Sequence, residues 1–281
     1  MNLSSGECAN KVEDLSGLNF KTSKNPYTAL IDACQNEHNK IQQSYETHRT
    51  SRNAQFKERF LSTEYNGLTI DQCLLRLVRP DIEPGFRDSR NCFVIWARPP
   101  HHIISLALQV QERLKQAVIL MRISRFLANA IALSRLVKPQ VSFDLSAFAL
   151  SFVPASGEPR KSAPPAEAEV TVAQEDAYTY HHLRRDIFDK FGQSGVVAVS
   201  RYEVPSAHIT LGRFVSNEDH DTPEKREAWV KALEEVNQWL SDEIWTQESG
   251  EWVVGQQTGL DARSGTLWYG GGRTVQMGEG F

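Results

Sequence analysis

The chain has 281 residues, enough for one large domain or two smaller lobes around a substantial core. Its 31 basic and 35 acidic side chains give a formal charge of −4, which argues against long duplex nucleic acid as a partner but allows a local phosphate site. The four cysteines lie far apart without CxxC spacing, so we expect free, buried thiols in a reducing compartment.

The N-terminal part of the chain is predicted to be helical and peripheral. The first 24 residues have no apolar core of the signal-peptide type and are expected to form a flexible or loosely docked arm. Residues 25–88 are mostly polar, with apolar side chains at helical spacings, and predict a helical extension wrapped on the remainder. Within it, a short helix is predicted over 70–78, because Pro80 follows.

Residues 89–281 form the predicted main domain, which opens with a strand and a helix. The apolar run Cys92–Ala97 is bounded by two prolines and predicts a buried strand. Residues 101–117 predict an amphipathic helix, and His101 and His102 are expected on its surface near the N-terminus.

The next segment, residues 118–137, has about the length of a membrane span. Arg122, Arg125 and Arg135 lie inside it, however, and each would cost about 2.5–3.5 kcal/mol at the bilayer centre. Its apolar residues recur at spacings of four and three, which predicts an amphipathic helix packed on a core. We therefore expect a soluble protein with no membrane partner, located in the cell and most simply in the cytoplasm.

A strand, a helix and a second strand make up the following unit. Residues 143–154 predict a strand that ends in proline, and 155–176, rich in Pro, Ala, Ser and Glu, predict a mobile loop. A helix is predicted over 179–191, and the stretch 204–214 predicts the second strand.

The last part of the chain predicts one helix and several hairpin strands. Thr222 is placed to cap a helix over 221–245, and Pro223 fits its first turn. The C-terminal residues alternate short apolar runs with glycine-bearing turns, and "YGGGRT" (269–274) is one such turn rather than a phosphate loop. The predicted fold class is α+β.

The stretch "VPSAHITLGRF" holds the candidate chemistry. Because strand side chains alternate, His208 and Thr210 share one face at roughly 6.5–7 Å, while Ile209 and Leu211 point into a core. An imidazole exchanges protons near neutral pH and a hydroxyl can bind a phosphate oxygen, so the pair suits cleavage of a phosphodiester. The alternative is a partly buried histidine that is bonded to its neighbours.

Several stretches together resemble the two-histidine (2H) phosphoesterase superfamily, and more narrowly its fungal RNA ligase/cyclic nucleotide phosphodiesterase-like proteins. They are "NPYTALIDAC", "IEPGFRDSRNCFVIWARPP", "RLVKPQVSFD", "YTYHHLRRDIFD", "RYEVPSAHITLGRF" and "LDARSGTLWYGGG". The resemblance implies a bilobal α+β fold in which each lobe brings one H-x-T/S motif to a shared cleft. It also implies chemistry on a cyclic phosphate or a 2′–5′ linkage without metal or other cofactor, with His208 as one acid–base group and Thr210 as one phosphate-holding hydroxyl.

The sequence departs from this pattern in its first lobe. The first H-x-T/S motif is expected downstream of Gln116, but no histidine lies between His102 and His181. Three hypotheses follow: a 2H-type phosphodiesterase impaired by this loss, a non-catalytic module that binds phosphate or nucleotide, and a damaged isoform. The ligand in the first two is a small phosphorylated molecule, a cyclic nucleotide or an RNA terminus.

Weaker candidates surround the His208 motif. Tyr202 lies just upstream, and Arg213 falls on the opposite strand face by alternation, although its long side chain could curl round the strand end. His181 contacts a ligand, packs inside the protein or is exposed to solvent. His38, His48 and His220 lie in polar segments and are expected to have no catalytic task, and no histidine pair has the spacing of a metal site.

Overall fold

A computed structural model describes residues 13–18, 24–117, 134–161, 176–195, 202–257 and 259–279. In this part of the chain it is a mixed α+β structure with six α-helices and two antiparallel sheets. The helices are α1 (Pro26–Ala33), α2 (His38–Leu61), α3 (Gln72–Val78), α4 (His101–Ala117), α5 (Tyr180–Gln193) and α6 (Pro223–Trp239). The strands are β1 (Cys92–Ala97), β2 (Arg135–Phe143), β3 (Ala147–Pro154), β4 (Ala207–Arg213), β5 (Trp252–Val253), β6 (Leu260–Gly265) and β7 (Arg273–Met277).

The larger sheet has the order β4-β3-β2-β5, and the smaller has the order β1-β6-β7. Helix side chains cover the part of β2 that β5 leaves unpaired. Asn237 of α6 accepts from the amide of Val141 at 2.6 Å, and Asn53 of α2 donates to the carbonyl of the same residue at 2.9 Å. These amides occupy backbone groups that would otherwise be free to pair with another strand.

The local signals at the helix starts and in the C-terminal hairpin act as predicted. Thr222 caps α6 by accepting from the amide of Lys225 at 3.4 Å, and Pro223 occupies the first turn. The glycine-rich turn joins β6 to β7, where Gly270 and Gly272 have φ values of 88° and 74°. Glycine adopts this left-handed conformation without the steric cost that other residues carry.

One hydrophobic cluster runs through the described residues. It includes Ile41 and Phe60 of α2, Leu150 of β3, Ile209 of β4 and Trp229 of α6, all of them at 0% exposure. The helices predicted as an extension over 25–88 therefore share a core with the sheet. Removing them would expose the apolar side chains that they cover.

The prediction of a helix over 118–137 is wrong at its C-terminal end. Arg135 and Val137 lie on β2, and residues 118–133 are outside the described part. Arg135 is buried at 4% exposure, where it binds Asp176 through two nitrogens at 3.0 and 2.9 Å and Glu251 at 3.2 Å. A buried arginine is tolerated because these carboxylates compensate its charge.

The single strand predicted over 143–154 is the end of β2, a turn and β3. The turn depends on Asp144, whose carboxylate accepts from the amides of Ser146 at 2.6 Å and Ala147 at 2.9 Å. An aspartate that binds the amides two and three residues ahead stabilises a reverse turn. The strand-like sequence pattern therefore continues from β2 into β3, although the chain reverses its direction between them.

The predicted arm and loop are held at the places where the structure describes them. The amide of Leu15 donates to Nδ1 of His48 at 3.0 Å, and Ser16 is buried. The predicted loop 155–176 is buried at both of its ends, Ala155 and Asp176. The remainder of the arm and residues 162–175 lie outside the described residues.

Three of the four cysteines fall in the described part. Cys34 is buried as expected, whereas Cys73 and Cys92 are partly exposed, and all three are free thiols. Cys8 lies outside it. None of the helices described has the length and the apolar character needed to cross a bilayer.

His220 is buried, contrary to its expected place in a polar segment. Its ring lies 5.0 Å from that of Phe214, 5.6 Å from Trp229 and 5.8 Å from Phe60, measured between centroids. The residue is 1% exposed, and within the described part neither ring nitrogen has a hydrogen-bond partner. Burial, followed by the charge of Arg226, lowers the pKa of this imidazole from 6.5 to about 4. His220 is therefore neutral at pH 7.

Replacing His220 is expected to make the protein less sensitive to acid. Because the folded pKa is below the unfolded one, the unfolded state binds more protons between about pH 6.5 and 4, and stability falls as the pH drops through this window. The difference between the folded and unfolded pKa values corresponds to at most about 3 kcal/mol of stability. In urea unfolding, the free energy of unfolding should fall less between pH 7 and pH 4.5 for His220→Phe than for wild type. The exposed His101→Gln variant should lose as much as wild type, and an equal loss in His220→Phe would contradict the assignment.

Candidate functional site

Strand β4 has one apolar and one polar face. Ala207, Ile209 and Leu211 are buried in the core, whereas His208 is exposed and Thr210 is partly exposed on the other face. The neighbouring strand β3 brings Ser151 opposite His208 and Ala149 opposite Thr210. As alternation predicts, the imidazole and the hydroxyl lie on the same accessible face.

A β-bulge corrects the predicted orientation of Arg213. Thr210 pairs with Ala149 and Gly212 with Phe148, so β4 carries one residue more than β3 over this interval. Such an extra residue shifts the alternation by one. Arg213 then pairs with Ala147, which shares its face of β3 with Ala149 and Ser151. Arg213 therefore lies on the same face as His208, not on the opposite one.

The bulge is held from the core side. Leu211 and Gly212 are both buried, and Gln111 of α4 donates from its side-chain amide to the carbonyl of Leu211 at 2.6 Å. Gln111 is only 5% exposed. A carbonyl displaced from the regular ladder needs a partner when it is buried, and Gln111 provides it.

Three side chains along this face, those of His208, Thr210 and Arg213, keep hydrogen-bonding groups without a protein partner in the described residues. We call these three residues the β4 row. Nδ1 of His208 lies 3.0 Å from the hydroxyl of Ser206. In the part of the chain that the structure describes, its Nε2, the Thr210 hydroxyl and the Arg213 guanidinium have no protein hydrogen bond or ion pair. The row therefore presents one imidazole nitrogen, one hydroxyl and one guanidinium to solvent.

The surroundings of His208 keep its ring neutral. Desolvation by the neighbouring protein, followed by the charges of Arg52, Arg184 and Arg213, lowers the pKa of the imidazole from 6.5 to about 4. The ring is nevertheless exposed to solvent. His208 therefore combines a solvent-exposed surface with flanking protein that disfavours the protonated ring. At pH 7 its free nitrogen is available without the cost of removing a proton.

Tyr202 packs against this ring, and the charges of Arg52 and Asp144 act on it. The ring of Tyr202 is 38% exposed and packs edge-on against His208, with centroids 5.3 Å apart. Arg52 of α2 donates to the Asp144 carboxylate at 2.6 Å. Burial alone would raise the pKa of Asp144, but the hydrogen bonds from Ser146 and the charge of Arg52 lower it, so Asp144 is ionised.

Arg184 of α5 fixes the segment that leads into β4. It donates to the carbonyls of Tyr202 and Val204, the latter at 2.8 Å, and its guanidinium lies 4.4 Å from the ring centre of Tyr27. Tyr45 contributes a further contact, with its hydroxyl 3.3 Å from the guanidinium. Arg184 thus holds Tyr202 beside His208 and adds positive charge to the site.

His181 is a buried structural residue, which corrects its candidacy as a ligand contact. It is 1% exposed, its Nδ1 lies 2.9 Å from the hydroxyl of Tyr45, and its Nε2 lies 3.1 Å from the carbonyl of Tyr27. Burial lowers its pKa well below 6.5. With both nitrogens engaged, the ring has none left for a ligand.

No hydrogen bond or ring contact in the described residues links His208 to another histidine. All eight histidines lie in the described residues, where the ring of His208 packs against that of Tyr202. His102 binds the carbonyl of Glu251 at 2.8 Å, and the adjacent His101 is exposed at the start of α4. The strands of the β1-β6-β7 sheet bear no histidine within the described part, and the segment expected to follow Gln116, residues 118–133, lies outside it.

Three charged residues of the site, Arg52, Asp144 and Arg184, were not predicted from the sequence. No local pattern marks them, since they come from α2, the β2–β3 turn and α5 and meet only in the folded chain. The described residues contain no cluster of three or more histidine, cysteine, aspartate or glutamate side chains suited to a metal ion.

Comparison with protein-family models, with curated proteins and with solved structures finds no significant match to this chain.

The neutral state of His208 can be tested by following its ring signals in an NMR titration. A midpoint near pH 4 is expected in wild type. Arg52→Gln removes a nearby positive charge and leaves Asp144 unpaired, so the midpoint should rise by about 0.5 or more. Arg59→Gln, two turns further along α2 and exposed, serves as the matched control and should leave the midpoint unchanged. A wild-type midpoint near 6.5 would contradict the described environment.

Proposed function

We propose that the β4 row binds the phosphate of a cyclic nucleotide or an RNA end, and that His208 supplies one acid–base group of a 2H-type phosphodiesterase reaction. The observation that carries this proposal is the alignment of three free groups on one accessible face of β4, made possible by the bulge at Leu211. A guanidinium and a hydroxyl are groups that commonly bind phosphate oxygens.

The chemistry follows from the state of each group. A water molecule attacks phosphorus, and the neutral imidazole of His208 accepts the proton that this water loses. Thr210 and Arg213 donate to the non-bridging oxygens, on which negative charge increases. The bond from phosphorus to one ribose oxygen breaks, and that oxygen takes its proton from solvent. Because no second histidine is placed to donate this proton, the expected turnover is slow.

The order of elements supports the resemblance to the 2H superfamily. Strand β3, helix α5 and strand β4 follow one another, the motif lies on the last strand, and the two strands pair directly. The smaller sheet offers strand β1 followed by α4, the same first two elements of such a unit. A second motif is missing from its described strands, which is the basis for proposing an impaired enzyme.

A second candidate function is a phosphate- or nucleotide-binding module without turnover. It is favoured by the other histidines that the structure places in hydrogen bonds with partners away from β4, namely His38, His102, His181 and His182. The third hypothesis, a damaged and poorly folded isoform, is less well supported, because a continuous core joins α2, the larger sheet and α6.

Hydrolysis of a 2′,3′-cyclic nucleotide by wild type and by His208→Ala tests the enzyme. One positioned acid–base group typically accelerates a reaction by about 10²- to 10⁴-fold, so kcat/KM should fall at least tenfold in the variant. His101→Ala, on the exposed start of α4, should retain the wild-type rate. Equal rates in wild type and His208→Ala would remove the enzymatic proposal. Saturable binding without turnover would leave the binding module.

Calorimetric titration with a nucleoside 3′-phosphate tests the phosphate contacts. Arg213→Gln removes a charged donor, so its dissociation constant should rise about tenfold or more. Arg213→Lys keeps the charge but not the bidentate hydrogen-bonding geometry, so its dissociation constant should lie between those of wild type and Arg213→Gln. The exposed Arg79→Gln, whose partner is Asp81, is the control and should bind like wild type. Unchanged affinity in Arg213→Gln would show that the bulge does not direct this side chain to the ligand.

A further inference from the structure

Ser206 lies two residues before His208, and its side chain reaches the imidazole. The hydroxyl oxygen is 3.0 Å from Nδ1 of His208, and either atom can be the donor in this hydrogen bond. The direction matters, because the bond made by one ring nitrogen of a neutral histidine decides which nitrogen carries the hydrogen. If Nδ1 donates to Ser206, Nε2 keeps a lone pair. If Nδ1 accepts from Ser206, Nε2 is an N–H donor.

Backbone contacts hold Ser206 in this position. Its amide donates to the carbonyl of Val204 at 2.8 Å, and Arg184 of α5 donates to the same carbonyl, also at 2.8 Å. Pro205, between the two residues, is buried, and its ring fixes φ. The serine is therefore attached to the same anchor that holds Tyr202, and its hydroxyl is kept at the imidazole.

The hydrogen of the Ser206 hydroxyl is used by Tyr202. Burial raises the pKa of the Tyr202 phenol, whereas the charge of Arg52 and a hydrogen bond from Ser206 lower it. A hydrogen bond lowers the pKa of a phenol when the partner donates to the phenol oxygen, because it stabilises the phenolate. Serine has one hydrogen to donate, so its oxygen accepts from His208. The ring of Tyr202 is 38% exposed, which leaves its own hydroxyl hydrogen for water.

The neighbouring strand does not compete for Nδ1 of His208. Ser151 of β3 pairs with His208, but it is 3% exposed, and its hydroxyl donates to the carbonyl of Gln140 at 2.9 Å. The Ser151 oxygen lies 2.7 Å from the hydroxyl of Ser142, which donates to it. Both of these hydroxyls are thus engaged within the larger sheet. In the part of the chain that the structure describes, Ser206 is the side chain that binds Nδ1.

We propose that Ser206 is a positioning residue, which keeps the hydrogen of the neutral His208 ring on Nδ1 and leaves the lone pair of Nε2 for the ligand. The consequence for turnover rests on the proposed function, in which this nitrogen accepts the proton of the attacking water. A neutral histidine free in water carries its hydrogen mainly on Nε2, where the ring cannot act as a base through that nitrogen. Ser206 therefore changes Nε2 of the neutral ring from a donor to an acceptor.

The position of the hydrogen can be read from the ¹⁵N chemical shifts of the His208 ring at pH 7, because N–H and lone-pair nitrogens give well-separated signals. In wild type we expect the hydrogen on Nδ1 and the lone pair on Nε2. Ser206→Ala removes the acceptor, so the hydrogen should lie on Nε2 in most molecules. Ser206→Thr keeps a hydroxyl and should restore the wild-type signals. Ser89→Ala alters an exposed serine before β1 and is the matched control, which should leave the signals unchanged.

A second variant tests the direction of the chain from His208 through Ser206 to Tyr202. Tyr202→Phe keeps the ring that packs against His208 and removes the oxygen that accepts from Ser206. The serine hydrogen is then free to turn to Nδ1, so the share of His208 with its hydrogen on Nε2 should rise. A wild-type ring with its hydrogen on Nε2, or wild-type signals in Ser206→Ala, would overturn the proposal.

Kinetics with a 2′,3′-cyclic nucleotide separate this proposal from the proposed function. Ser206→Ala should lose about three- to tenfold in kcat with little change in KM, because one hydrogen bond between neutral groups disappears. If wild type gives the expected ring signals without turnover, the proposed function fails and the assignment of Ser206 stands. If the rate falls in His208→Ala but not in Ser206→Ala, Ser206 has no positioning role and the proposed function stands.

Discussion

The carbonyl of Leu211 is held inside the core by the side-chain amide of Gln111, and the polar face of β4 depends on this bond. The extra residue would otherwise leave a buried backbone group without a partner. With the bulge in place, Arg213 lies on the same face as His208 and Thr210. The set of side chains on this face is thus decided by a contact between α4 and β4 on the opposite side of the strand.

Positive charge, more than a second imidazole, characterises the surroundings of His208. Arg52, Arg184 and Arg213 act on it from α2, α5 and β4, while Asp144 is held by Arg52 and by the amides of its own turn. A site arranged in this way favours an anion before any chemistry occurs. The neutral ring within it can accept a proton, yet the described chain places no partner to return one to a leaving group. These groups therefore suit the proposed binding of a phosphate better than they suit rapid turnover.

Elements with strong local patterns could be predicted from the sequence: the strand β1, the periodicity of α4 and α5, and the alternation of β4 as far as Thr210 agree with the structure. The burial predicted for β1 is wrong, because Ala97 is its one buried residue. Features that depend on distant residues could not. Arg135 resembles a helix residue until Asp176 and Glu251, 41 and 116 positions away, surround it on a strand. The burial of His181 requires Tyr45 and Tyr27. Alternation alone predicted the face of Arg213 wrongly, because a bulge leaves no clear mark in composition.

Arg135 has a further consequence for the variation that this chain can accept. Its guanidinium binds the carbonyl of Glu158 and the carboxylate of Asp176, so one buried cation anchors the chain on both sides of the interval between them. Replacing Arg135 would therefore release both segments at once and leave the carboxylates of Asp176 and Glu251 buried without a cation.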